Sequence, residues 1–510
     1  MGSTEAKTYN RLRISGRLTC AAALHVGDGG DADFKPRSQD PKAEGLYRSV
    51  CRDADDRPYI PATTLRGYLR EVAGPALAPA LFGQIKGNQG LVGKVRVFDA
   101  TWLAAPGDTR LPYWDQRLAT GIRHGIGIDP ITGTVGDHLL YRHEIVPAGT
   151  TFSWTLEAEG LTDDQFADLL GLLATFDGKS DSGVGRGRSR IEGGLTWVRD
   201  RVDGITDAAL VAWLDDTDTK TLTDALEVIA SPPAERRPQR RTGPQIDLIL
   251  TPTGPLLINE PGLVTLEPER PAGTPEDPDG PHDPDLEFSR TPDGKAIIPA
   301  ASLRGLLRGR ARRILATIAA GYGAPAPGVL AEAMVGLLFG ITGRRGRIHT
   351  SEAVATSPAS DHLQTFVAID RFTGGGERGK LYQARAALSG PLKAKVRIEI
   401  GRGELADWEK GLLLLLARDA CEGELAAGWG KARGYGALDI ALSDGKETLS
   451  NLPALRAWID REFKGTDPGG WIEALHDEVA KASRPSRPPS QSISPSLRET
   501  DEEAPDGKLS

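Results

Sequence analysis

The sequence predicts an α+β protein made of two tandem copies of one split βαβ module. Three observations lead there. A set of short landmarks occurs twice in the same order, roughly half a chain apart. Each set is threaded through the same succession of strand-like and helix-spaced stretches. In each copy a proline leads into the first helix at the same point of that succession.

The landmarks are specific. Tyr59-Ile60-Pro61-Ala62-Thr63-Thr64-Leu65-Arg66-Gly67 returns as Ile297-Ile298-Pro299-Ala300-Ala301-Ser302-Leu303-Arg304-Gly305, an offset of 238 residues (299 minus 61). Leu81-Phe82-Gly83 returns as Leu338-Phe339-Gly340. Gly127-Ile128-Asp129-Pro130-Ile131-Thr132-Gly133 returns as Ala368-Ile369-Asp370-Arg371-Phe372-Thr373-Gly374, and Leu140-Tyr141 as Leu381-Tyr382, both at an offset of 241 (370 minus 129). A glycine-rich basic stretch closes each copy, Gly183 to Arg190 and Gly428 to Gly436. Five matches in one order are the mark of a duplication.

The elements follow in chain order. Arg11 to Leu24 alternates through Leu12, Ile14 and Leu18 and reads as a strand; Gly243 to Ile258 takes its place in the second copy. Leu65 to Val72 and Leu303 to Ile314 carry apolar residues at helical spacing, with Thr63, Thr64 and Ser302 placed to cap them. Leu139 to Glu157 alternates on both sides of Pro147-Ala148-Gly149 and predicts a strand pair. Leu161 to Leu173 and Asp407 to Asp419 read as helices. This order, with long excursions between elements, suits a split βαβ, ferredoxin-like core.

The domain boundaries are then residues 10–230 for the first module, 231–244 for a polar, proline-bearing linker and 245–482 for the second module. Residues 483–510 are rich in Pro and Ser and nearly devoid of apolar side chains, which predicts a disordered tail. A Pro-, Asp- and Glu-rich insert, Glu267 to Asp285, interrupts the second module.

Composition excludes several classes. The 510 residues are 39% hydrophobic and 26% charged, ordinary for a globular protein, and the 61 Gly and 36 Pro predict many turns. A net charge of −8 argues against a generally polybasic surface but leaves room for local patches. No apolar run approaches the roughly 18 residues needed to cross a bilayer, so no membrane partner is expected. Cys20, Cys51 and Cys421 form no CxxC pair, which speaks against a disulfide framework or zinc knuckle and fits a reducing, cytoplasmic setting.

The motifs resemble those of the RAMP superfamily. Ile60 to Gly67 is similar to that family's IPGSSLKG helix start. Ile128 to Gly133, followed by Leu140-Tyr141 and Glu144 to Thr150, is similar to its IDRxTG…L(F/Y)xxExVPAGT segment, and Gly428 to Gly436 to its terminal glycine-rich loop. The resemblance spans roughly residues 10–200 and 245–442 and is nearest to the backbone subunit of type III CRISPR effector complexes, here as a two-module fusion of subtype III-D-like kind. It implies two RRM-like RAMP modules with inserted thumb hairpins, a guide RNA and complementary target RNA as ligands, other RAMP subunits as partners, and a role in antiviral defence. The first copy departs from the pattern by lacking a terminal Gly-Tyr-Gly, and the second by carrying Leu388-Ser389-Gly390-Pro391 where the first has Val146 to Gly149; both departures leave the loop geometry open and not the fold.

Two sets of residues are placed for RNA. Arg66 and Arg70 share a helix face, as do Arg304, Arg308 and Arg312, beside a helix N-terminus whose amides suit a phosphate. Arg186, Arg188, Arg190, Lys431 and Arg433 add charge to glycine loops whose amides can come close to a backbone. The bland alternatives are a solvated basic face and a plain tight turn. Asp129 and Asp370 cap a turn or, less simply, bind metal. In the resembled family a loop aspartate upstream of the Ile-Pro motif supports metal-dependent cleavage of target RNA. Asp283 and Asp285 fall at that distance in the second copy, with Asp33 or Asp40 as alternatives in the first; a divalent cation such as Mg2+ would be needed. The competing readings are a purely structural scaffold and a processing enzyme for CRISPR precursor RNA, which calls for a histidine-centred acid–base pair. The sequence shows no such pair, and His138 and His143, at odd spacing on a strand and so on opposite faces, speak against a zinc site.

Overall fold

The computed structural model describes residues 7–34, 45–86, 89–106, 114–129, 134–178, 183–190, 192–215, 221–222, 224–238, 243–260, 284–291, 294–400, 403–445, 447–449, 452–462 and 467–484. The proposed tail beyond residue 484, most of the acidic insert, Asp40 and Asp283 lie outside them.

The first module is organised on β1 (Thr8–Cys20), whose alternating Leu12, Ile14 and Leu18 are at most 1% exposed. The alternation begins one residue out of phase at Tyr9, and a bulge between Tyr9 and Arg11 corrects it. Next come α1 (Ala62–Phe82), β2 (Val95–Val97), the hairpin β3 (Gly121–Ile128) and β4 (Val135–Ile145), β5 (Thr151–Thr162), α2 (Asp163–Leu173) and β6 (Leu195–Thr206). β1 lies between β5 and β6, and β2 lies beyond β5, all antiparallel to their neighbours. The order β6-β1-β5-β2 is the split βαβ arrangement doubled, as the sequence predicts.

The second module repeats it. β7 (Gln245–Pro252) leads to α3 (Ala300–Gly321), α4 (Pro327–Phe339), the short strands β8 (Ile348–Thr350) and β9 (Ala353–Ala355), the hairpin β10 (Ser360–Ile369) and β11 (Gly376–Leu388), β12 (Leu392–Ile398), α5 (Asp407–Cys421) and β13 (Leu438–Ser443). β7 pairs with β12 and β13, and β8 and β9 pair with β12. Each module has its own hydrophobic core, one around Leu12, Trp154 and Phe166, the other around Leu250, Leu303 and Leu412. Truncating one such leucine to alanine costs about 2–5 kcal/mol.

Differences from expectation have local causes. Pro61 and Pro299 stand at the N-caps of α1 and α3 without a side-chain cap, so Thr63, Thr64 and Ser302 do not fill that place. In the first module the Asp99 carboxylate accepts from the Ala62 N–H at 2.6 Å instead. The helix expected over Leu65 to Val72 continues past a kink at Gly74, with φ 64°, just before Pro75, and the second module splits the same path into α3 and α4. α2 is capped by Thr162, whose hydroxyl accepts from the Gln165 N–H while the Gln165 side chain reaches back. The linker is not free: the Arg236 N–H donates to Ala167 O at 3.0 Å and its guanidinium reaches Asp164 and Asp168 of α2. Two further helices, Leu452–Glu462 and Pro468–Ser483, complete the second module, and Trp471 of the latter is buried beside α5.

Candidate nucleic-acid interface

The hairpins of the two modules match residue for residue. Ile126 pairs with Leu140 and Ile128 with Val135; Val367 pairs with Leu381 and Ile369 with Gly376, each at the 241-residue offset and with the same bulge between the two pairs. Asp129 and Asp370 open the two turns: their N–H groups donate to Thr134 O at 2.8 Å and Gly375 O at 2.9 Å. Asp370 Oδ1 accepts from the Phe372 and Thr373 N–H groups at 2.8 and 2.7 Å, which holds its carboxyl below the usual range and makes it a turn cap. Phe372 at the tip is fully exposed.

The glycine loops match too, although the first lacks a terminal Gly-Tyr-Gly. In the first, Arg186 N–H donates to His25 O (2.8 Å), Arg190 N–H to Gly187 O (2.6 Å) and Gly193 N–H to Ala23 O (2.8 Å). In the second, Trp429 N–H donates to Leu257 O (2.8 Å), Arg433 N–H to Gly430 O (2.7 Å) and Gly436 N–H to Pro255 O (2.9 Å). The backbone path is repeated, so Glu192-Gly193 does what Tyr435-Gly436 does. Glycine is needed where the loop is strapped down: a Cβ at Gly185 or Gly428 would run into the His25 or Leu257 carbonyl oxygen, and both have positive φ. These amides serve the fold and strap each loop to the strand end beside it.

Those side chains differ in how they are held. Arg188 pairs with Glu71 at 2.8 Å and Arg190 with Glu192 at 3.1 Å. Arg186 is exposed and lies 5.7 Å from the centre of the Tyr141 ring; partial burial, then Arg190 and Arg48, hold its pKa down. Lys431 is exposed and has no ion pair or hydrogen bond among the described residues. Arg433, also exposed, donates to the Tyr382 hydroxyl and sits over the Phe366 and Trp429 rings at 5.3 and 5.0 Å. Tyr141 and Tyr382 occupy the same hairpin position.

The helix-face arginines have work inside the protein. Arg66 Nη2 donates to Phe82 O at 2.6 Å, and Arg70 donates to Phe82 O at 2.9 Å and to Gly83 O. Arg304 donates to Phe339 O and Ile348 O, Arg308 to Gly340 O at 2.7 Å and to Glu332, and Arg312 pairs with Glu332 at 3.3 Å. The two repeated motifs, Leu-Arg-Gly and Leu-Phe-Gly, are thus bound to each other: the arginine satisfies carbonyls left over where the second motif ends a helix. Burial, with Arg308, Arg190 and Arg345 nearby, lowers the Arg304 pKa to about 10. Arg66 alone of this set remains an exposed residue with one such bond.

The carboxylates are dispersed. Asp285 is exposed, and its Oδ2 accepts from the Gln383 N–H of β11 at 2.8 Å. Asp33 lies on the strand Gly27–Phe34, paired with Leu46. Among the described residues no three His, Cys, Asp or Glu side chains gather as a metal site. His143 is buried, 3% exposed, against His25 and Tyr141.

Two ferredoxin-like modules in tandem, each pairing a strapped glycine loop with an inserted hairpin, define the class of protein. The RAMP superfamily is matched over residues 17–192 and 250–439, and the chain belongs to it. Membership supports a CRISPR-associated, RNA-binding role in general. No curated protein matches the chain. In the described residues no helix is long and apolar enough to cross a membrane.

Proposed function

We propose that the chain is a guide-RNA-binding backbone subunit of a type III CRISPR interference complex of III-D-like kind. It gives two adjacent modules to one guide strand, which pairs with target RNA, and stands beside other RAMP subunits. One observation carries the reading: each loop lays an exposed arginine against the aromatic side of its own hairpin, Arg186 at Tyr141 and Arg433 at Phe366 and Tyr382. Cations next to aromatic rings hold a single strand by phosphate contact and stacking and do not read its sequence.

Purification followed by RNA extraction and salt titration tests it. The protein retains a short RNA, and Arg186→Ala with Lys431→Ala and Arg433→Ala lowers the salt slope by roughly 0.7 per cation removed. Unchanged retention and slope in a folded triple variant contradict the proposal. Target cleavage is a separate property of the same reading, assigned to the loop that ends at Asp285.

A further inference from the structure

The face through which the modules meet is not repeated on the far side of the second module. At the junction the 3₁₀ turn Arg188–Arg190 of the first module lies against α3 and β8 of the second. Glu71, which takes Arg188, also pairs across the junction with Arg345 at 3.6 Å. Arg123 of β3 keeps only 18% of its side chain exposed, 4.0 Å from Glu192. Glu260 and Glu352 of the second module are its other near charges. Glu260 is 6% exposed, so its cationic neighbour matters.

The shared registers identify what stands at these places on the open side of the second module. β10–β11 puts Gln364 where β3–β4 has Arg123. The loops put Tyr435 where the first has Glu192. Gly309, five residues past Arg304, replaces Glu71, five past Arg66. Gln364 is already engaged, accepting from the Tyr435 hydroxyl. On the open side of the first module the counterparts of Glu260 and Glu352 are Asp28 and Asp99. Asp28 accepts from the Gly30 N–H at 2.7 Å and the Ser49 hydroxyl at 2.9 Å, and Asp99 from the Ala62 N–H at 2.6 Å.

We propose that Arg123, Glu71 and Glu192 fix the order of the modules, and that the two open faces of the chain refuse one another. The chain then joins an assembly as one two-module unit and does not extend by stacking copies of itself. A head-to-tail contact that repeats makes an open filament. Here Glu71, the acid of the ion pair across the junction, and the Arg123–Glu192 pair behind it all have neutral replacements, and the carboxylates that would receive the arginine are spent inside the first module. Specificity comes from the missing partner.

Mass measurement of the full chain without RNA, from nanomolar to high micromolar, tests this first. One chain of 54.4 kDa is expected at every concentration; growth into multiples overturns the proposal. Gly309→Glu, Gln364→Arg and Tyr435→Glu, combined with Ser49→Ala to release Asp28, should then bring concentration-dependent multimers, and a folded variant that stays single counts against these positions. A third measurement does not need that variant to fold. Arg123→Gln with Glu71→Gly should raise amide exchange at residues 188–190 and 348–350 about tenfold; unchanged exchange overturns the assignment of those charges to the junction.

Discussion

Glu260 shows how a single residue can carry a pH dependence. Burial pushes its pKa up to about 7 from an ordinary 4.5, while Arg123 and the Ser289 hydroxyl pull it back. Between those values the folded chain holds a proton that the unfolded chain has released. Stability is therefore highest below pH 4.5 from this group and falls as pH rises toward 7, by at most about 3 kcal/mol. Glu260→Gln should flatten that part of the melting profile and raise the neutral-pH midpoint; an unchanged slope would be evidence against it. His143 acts in the opposite sense. Burial first, then Arg190 and Arg123, lower its pKa to about 2, so the folded site refuses a proton that the unfolded chain takes below pH 6.5. The His143→Gln variant should lose less stability on acidification than the unmodified chain.

Arg304 and Asp285 separate structural from functional duty at the same scale. Arg304→Ala strands Phe339 O and Ile348 O and should cost about 2–4 kcal/mol in thermal unfolding. Its salt slope for RNA should stay that of the unmodified protein once both are folded, whereas a drop like that of the loop cations would show a direct phosphate contact. Asp283→Ala with Asp285→Ala should leave RNA retention intact and remove any chelator-sensitive cut in target RNA. Normal cutting by that variant, with loss in an Asp33 or Asp40 variant, would move the activity to the first module.

At the scale of elements, period and punctuation explain what the sequence could and could not reveal. β1 was readable because one face is buried and the alternation of apolar side chains reports it, and α2 because it is apolar along most of its length, buried from Phe166 to Leu173. The strand pair on either side of Pro147 was readable for the same reason as β1. Helix starts were misread because a proline at the N-cap leaves capping to Asp99, which is remote in sequence. The arginine clamps were hidden as well: a basic residue repeated at one motif position reads equally well as a phosphate ligand or as a partner for distant carbonyls. The aromatic side of the loop site had a signal in Leu140-Tyr141 and Leu381-Tyr382, which were landmarks of the repeat before they had a role. Glu71 and Glu192 had none, since their partners are fixed only by the meeting of separate elements.

At the scale of the whole molecule, duplication has produced two modules alike in backbone and unlike in surface. Loop and hairpin geometry is kept, while Glu192 has Tyr435 as its counterpart, Arg186 has Trp429 and Arg123 has Gln364. Separate cores allow the modules to be perturbed one at a time. The central claim is that both grip one RNA strand at equivalent places. Ultraviolet crosslinking of the purified complex, read by mass spectrometry of the peptides, tests it most directly. The account predicts crosslinked peptides from both sites, around Tyr141 and Arg186 and around Tyr382, Trp429 and Arg433. Crosslinks confined to one module, or to neither loop and hairpin, would contradict it.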